Sequence, residues 1–65
     1  MNKYYIYTDG GSQELEAATF AEALAEWGQS PKSVTTAEAF EAWLEKCGGF
    51  GGIQENGIQI ANVRS

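Results

Sequence analysis

The chain contains no histidine, a single cysteine, a single proline and only four bases, Lys3, Lys32, Lys46 and Arg64. Each scarcity excludes something. Without histidine the commonest general base and the commonest transition-metal ligand are both missing. Cys47 has no second cysteine to pair with, so a chain of 65 residues must fold on its apolar core without a disulfide. A lone thiol also suits a reducing cytoplasm. The four bases are scattered and form no run that would displace counterions from phosphates, so direct nucleic-acid binding is not expected. No apolar stretch approaches the roughly 20 residues of a membrane-crossing helix. No basic segment followed by an apolar run opens the chain, as a secretory leader would require. The expectation is a small cytoplasmic protein with no membrane partner.

What is present is acid and aromatic. Nine acids against four bases give a formal charge of -5. Two tryptophans, three tyrosines and three phenylalanines are enough to dominate the core of one domain spanning residues 1–65.

The clearest local signal runs from Thr35 to Gly49. Phe40, Trp43, Leu44 and Cys47 sit at i, i+3, i+4 and i+7, one stripe of an α-helix. Thr35 with Glu38 forms a capping box at its start, and Gly48 can take the left-handed conformation that ends it. On this reading Cys47 is a small core residue. Phe20, Ala23, Leu24 and Trp27 repeat the stripe between a Thr19/Glu22 capping box and Gly28. The match between the two segments follows from helical period and does not require an internal duplication.

The flanking segments read as strands. Lys3 to Asp9 is dense in aromatic and β-branched residues, and Asp9-Gly10-Gly11-Ser12 marks a turn. In the segment from Gln13 to Ala18, Glu14 and Glu16 alternate with Leu15 and Ala17, which favours a strand completing a hairpin. Its helix-forming composition leaves a backward extension of the first helix as the other reading. Near the far end, Asn56-Gly57 between β-compatible segments predicts a type I′ hairpin with Ile53 opposite Ile60. That register places Ile53, Ile58 and Ile60 under the helices, and Gln54, Gln59, Ala61 and Val63 on the other face. The predicted order is β-β-α-α-β-β: a two-layer α+β domain with a small, mostly antiparallel sheet and two helices on one face. The uncovered face should then carry tyrosine, with Tyr5 and Tyr7 outward if Tyr4 and Ile6 point in.

Catalytic equipment is sparse. Cys47 has no histidine to activate it. Gly48-Gly49-Phe50-Gly51-Gly52 lacks the lysine and hydroxyl of a phosphate loop and follows a helix C-terminus, whose dipole repels anions. No catalytic residue, metal ligand or cofactor is assigned. Tyr4-Tyr5-Ile6-Tyr7-Thr8-Asp9-Gly10 resembles the opening strand of the ribonuclease H family, which implies a metal-holding role for Asp9. The resemblance covers about a tenth of the chain, and the further carboxylates and length of that family are lacking, so Asp9 is read as a turn residue.

The acids are the suggestive feature. Glu22 and Glu26, and Glu41 and Glu45, lie at i, i+4, and Glu38 and Glu41 at i, i+3. Like charges so spaced cost a helix a few tenths of a kcal/mol per pair. A surface that repels itself suits a partner with a basic surface. The candidate partner-binding residues are therefore Glu22, Glu26, Glu38, Glu41, Glu45, Tyr5 and Tyr7. In size, charge and compactness the chain is similar to small acidic accessory proteins of phages and mobile elements, the anti-CRISPR proteins among them. That resemblance implies a non-catalytic inhibitor that occupies a basic nucleic-acid-binding surface in a host cell's cytoplasm. The alternative is a self-assembling structural or regulatory protein, a homodimer joined through its sheet.

Overall fold

A computed structural model describes residues 1–64 of the chain. The elements are β1 (Asn2–Thr8), β2 (Gly11–Ala17), α1 (Phe20–Trp27), α2 (Ala37–Lys46), β3 (Gly51–Glu55) and β4 (Ile58–Val63). They form one four-stranded sheet in the order β2-β1-β3-β4, with every neighbouring pair antiparallel. The two helices pack on the same sheet face, α1 over β2 and α2 over β4 and β3. This is the two-layer α+β domain that the sequence predicts, and Gln13 to Ala17 is strand.

The alternation in β1 decides the layers. Tyr4 and Ile6 are buried, while Tyr5 is exposed and Tyr7 half-buried on the face that no helix covers. Leu15 and Ala17 of β2 join them beneath the helices, along with Ala23, Leu24 and Trp27 of α1 and Phe40 and Leu44 of α2. Val34 is the one core residue from the loop that connects the helices.

Helix ends follow cap chemistry closely. The Thr19 hydroxyl accepts from the Glu22 amide at 3.2 Å, as the sequence predicts. At α2 the cap is Thr36, not Thr35: the Thr36 hydroxyl accepts from the Ala39 amide at 3.1 Å. Starting one residue later lets Val34 bury itself before the helix begins. Thr36→Ala should therefore cost about 1 kcal/mol while Thr35→Ala costs far less. Paired urea melts of the two variants check the assignment. At the other end, the Gly49 amide donates to the Leu44 carbonyl and the Gly48 amide to the Glu45 carbonyl, both at 3.0 Å. With Gly48 at φ +75°, this is a Schellman stop.

The C-terminal hairpin turns as expected, with Asn56 at φ 53° and Gly57 at 84°. Its register does not stay as expected. Glu55 opposes Ile58 and Gln54 opposes Gln59, but a β-bulge follows and Ile53 then opposes Ala61. One extra residue in β4 reverses its alternation. Ala61 and Val63 consequently enter the core and Ile60 packs partly against it, while Ile58, before the bulge and opposite Glu55, stays 68% exposed beside the turn. The predicted placement of Ile58 under the helices, and of Ala61 and Val63 on the open face, is thus corrected.

Chain direction places both helix C-termini together. β1 ends at the Asp9-Gly10 turn, and β3 starts beside that turn, with Gly51 paired to Thr8. α1 runs back toward the same end, residues 28–36 return, and α2 rises to it again. Trp27 at the end of α1 therefore meets Trp43 in the last turns of α2, their ring centroids 6.3 Å apart. The two helices lie parallel.

Candidate functional site

The predicted binding residues fall into separate places. Glu22 and Glu26 are exposed on α1. On α2, Trp43 faces α1, and Glu38, Glu41 and Glu45 form a column on the opposite flank, above the β4 edge. Glu38 and Glu45 are exposed, but Glu41 is half-buried and its carboxylate accepts from the Asn62 amide at 2.8 Å. Glu41 is therefore a structural ligand of the β4 edge as well as part of the column. The sequence gives no hint of this, because the bulge sets which amide of β4 turns outward.

The open face carries its own rows. Glu14, Tyr5, Gln54 and Gln59 lie side by side across the four strands, with Ser12, Tyr7, Gly52 and Asn62 in the next row. The rings of Tyr5 and Tyr7 sit 5.6 Å apart. Tyr7 lies over Gly52, where an added Cβ would fall 2.6 Å from its hydroxyl, and that hydroxyl accepts from Gln59 Nε2 at 2.8 Å. Tyr7 is thereby held flat on the sheet, while Tyr5, 38% exposed, is the freer of the two.

Both sheet edges are guarded. Glu14 and Glu16 stand on the outer strand β2, so antiparallel pairing of two β2 strands about their centre would oppose like charges. At β4 the bulge and the Glu41 carboxylate interrupt the edge.

One acid is internal to the architecture. The Tyr4 hydroxyl donates to Glu55 Oε2 at 2.5 Å and accepts from Asn2 Nδ2 at 3.5 Å. Burial above all, and then the bond to the Glu55 carboxylate, holds the Tyr4 hydroxyl above its ordinary pKa, so it serves as a neutral donor. Asn56 completes this corner. Its side chain accepts from the Lys3 amide at 2.9 Å and donates to Asn2 Oδ1 at 3.1 Å, pinning the second hairpin turn to β1.

Two clefts remain. A groove of about 370 Å³ lies between α1 and the returning loop, lined by Leu24, Ala25, Pro31, Lys32 and Val34 among others. A second, of about 250 Å³, opens at the end where both helices stop, between Asp9, Trp27, Gln29, Trp43 and Cys47. Cys47 is exposed there. The expectation that it fills the core is corrected, because α2 ends at Lys46 and the thiol lies beyond the last turn that covers the sheet. Among the described residues no group of three or more cysteines and acids is placed to hold a metal ion, and no helix is long and apolar enough to cross a membrane. Asp9 occupies the β1–β2 turn, its amide donating to the Phe50 carbonyl at 3.1 Å.

Comparison with family models, curated proteins and solved structures finds no match to this chain.

Proposed function

We propose that the chain is a small non-catalytic protein-binding module that presents its acidic α2 flank to a basic surface on a partner. The observation that carries this reading is the Glu38–Glu41–Glu45 column. Its ends, Glu38 and Glu45, are exposed, and the bond from the Asn62 amide fixes its half-buried middle member in place. A self-repelling column gains relief of its own repulsion on meeting cations, and its held middle member loses little side-chain entropy. No charged side chain of the described residues is fully buried, and all the acids but the half-buried Glu41 and Glu55 are exposed. The partner's surface is of the kind that otherwise takes nucleic acid, and the role is that of an inhibitor of a nucleic-acid-handling host complex, as in the anti-CRISPR proteins.

The second reading, self-assembly, rests on Tyr5 and the uncovered sheet face. Guarded edges at β2 and β4 turn it toward face-to-face stacking rather than strand addition.

A tagged chain incubated with host lysate and washed at rising salt tests both. The expected catch is a nucleic-acid-binding complex that elutes with salt and whose binding of nucleic acid the purified chain blocks. Glu38→Lys with Glu45→Lys adds two charges at each position and so moves the net charge from -5 to -1, while leaving Glu41 on Asn62. That variant should lose the catch about tenfold or more. Recovery of the chain alone, with twice its monomer mass in sedimentation, would replace this reading with self-assembly.

A further inference from the structure

The cleft at the helix ends combines an acid and an aromatic wall, both of which favour a cation. α1 stops at Trp27 and α2 at Lys46, and Trp27, Gln29, Trp43, Leu44, Cys47 and Gly49 line the space between those ends. The carbonyl end of a helix carries partial negative charge, and here the helices run parallel, so their two ends add where antiparallel neighbours would cancel. Asp9 brings a full negative charge to the same place. Its carboxylate fits because Gly49 has no side chain: a Cβ there would come within 3.2 Å of Asp9 Oδ1 and 2.9 Å of Leu44 Cδ1.

The remaining walls are aromatic. The indoles of Trp27 and Trp43 meet edge to face at 85°, and Phe40 braces both from beneath at 6.0 and 5.9 Å. Trp27 is buried in this cluster and Trp43 half-buried, so Trp43 is the indole held in place with ring surface open to the cleft, the feature that attracts cations to tryptophan. Lys46 is the one base in the last turn of either helix, and it does not line the cleft. Asp9, the half-buried Trp43 indole and the C-terminal ends of both helices thus border a cleft of about 250 Å³, with the largely buried Trp27 behind them.

We propose that this cleft receives an arginine side chain of a protein partner. A guanidinium is planar, so it can lie on an indole while its edge donates to the Asp9 carboxylate in a forked pair. An ammonium can meet both groups only as a point charge, with no plane to stack and no fork for a bidentate pair. The inference rests on the preceding reading for the partner being a protein and names one side chain that the partner presents. The cleft and the acidic column are distinct surfaces, so the two can fail separately.

The test uses the intact chain, labelled with ¹⁵N, and follows the indole N–H resonances of Trp27 and Trp43. N-acetyl-arginine amide, N-acetyl-lysine amide and the uncharged isostere N-acetyl-citrulline amide are titrated in turn. The expected result is saturable movement of both indole signals with the arginine compound and weaker binding of the lysine compound. The citrulline compound should leave both signals in place. Asp9→Asn, with the rest of its spectrum preserved, should bind the arginine compound more weakly by about tenfold or more, since the forked charge-assisted pair is lost. Should Asp9→Asn disturb the fold, Trp43→Phe is the second variant, expected to keep the core packing and weaken binding. Equal response to arginine and citrulline, binding of lysine as tight as arginine, or indifference to both substitutions would each overturn the proposal. Loss of the lysate partner with the arginine titration intact would sink the acidic-column reading and leave the cleft standing.

Discussion

Gly51→Ala should leave the chain unfolded at room temperature, with far-ultraviolet circular dichroism showing neither sheet nor helix. Gly51 opens β3 at φ +152°, a backbone conformation that an L side chain rarely adopts. A Cβ would also overlap the Tyr7 carbonyl oxygen and fall 2.7 Å from Thr8 Cα. Both obstacles are main chain of β1, the strand that β3 must pair with, so no side-chain rotation relieves them. Strain and overlap together cost about 4 kcal/mol or more. A chain of this size has a total stability of roughly 3–10 kcal/mol. Gly48→Ala is the control. Gly48 also has positive φ, at +75°, but nothing lies within 4 Å of the added carbon, so the expected loss is about 1 kcal/mol and the fold survives. Equal stability of the two variants in urea would show that β1 and β3 do not approach as described.

Phe40→Ala is the second large effect. Phe40 is completely buried and touches both indoles, so it sits where α1, α2 and the sheet meet. Truncation of a buried phenylalanine costs about 3–5 kcal/mol, which here approaches the whole stability of the domain. Cooperative thermal unfolding should be lost or shifted below room temperature, and tryptophan emission should move to the red as Trp27 meets water. Phe40→Leu keeps an apolar side chain in the site and should retain a cooperative transition. A Phe40→Ala protein that melts like the parent would contradict the packing of the two helices against one another.

The features legible in the sequence are those encoded within a few residues. Thr19 and Gly28 bracket α1, Asn56-Gly57 makes its turn, and the alternation of Tyr4 and Ile6 with Tyr5 and Tyr7 sorts the two faces, all from local chemistry. The misreadings lie where one residue more or less changes the outcome. The capping box with Glu38 favours Thr35 on paper, yet the helix starts from Thr36, with Val34 buried just before it. A strict period of two through Ile58, Gln59, Ile60 and Ala61 conceals the bulge, which becomes visible only when β4 must present Ala61 and Val63 to the helices. Cys47 keeps helical phase with Phe40 but lies past the last residue of α2. The acids were legible as a set but not as a site. Glu41 reaches an amide 21 residues away. Asp9 and the two tryptophans come from three elements that only the topology brings to one end.

The pairing of β1 with β3 bears on how the molecule forms. Each hairpin joins strands that are neighbours in sequence and can zip locally, but the central pair of the sheet joins Tyr4 to Glu55, residues separated by 51 positions. A two-stranded hairpin is marginal alone in water, so neither half persists until that long loop closes. The helices lie between the hairpins in the chain, and their apolar stripes find no complete sheet to cover before closure. Folding should therefore be slower than in helical chains of equal length and should leave no half-built species. Proteolysis would then depend on whole-molecule opening, and the protein would persist or be degraded as a unit.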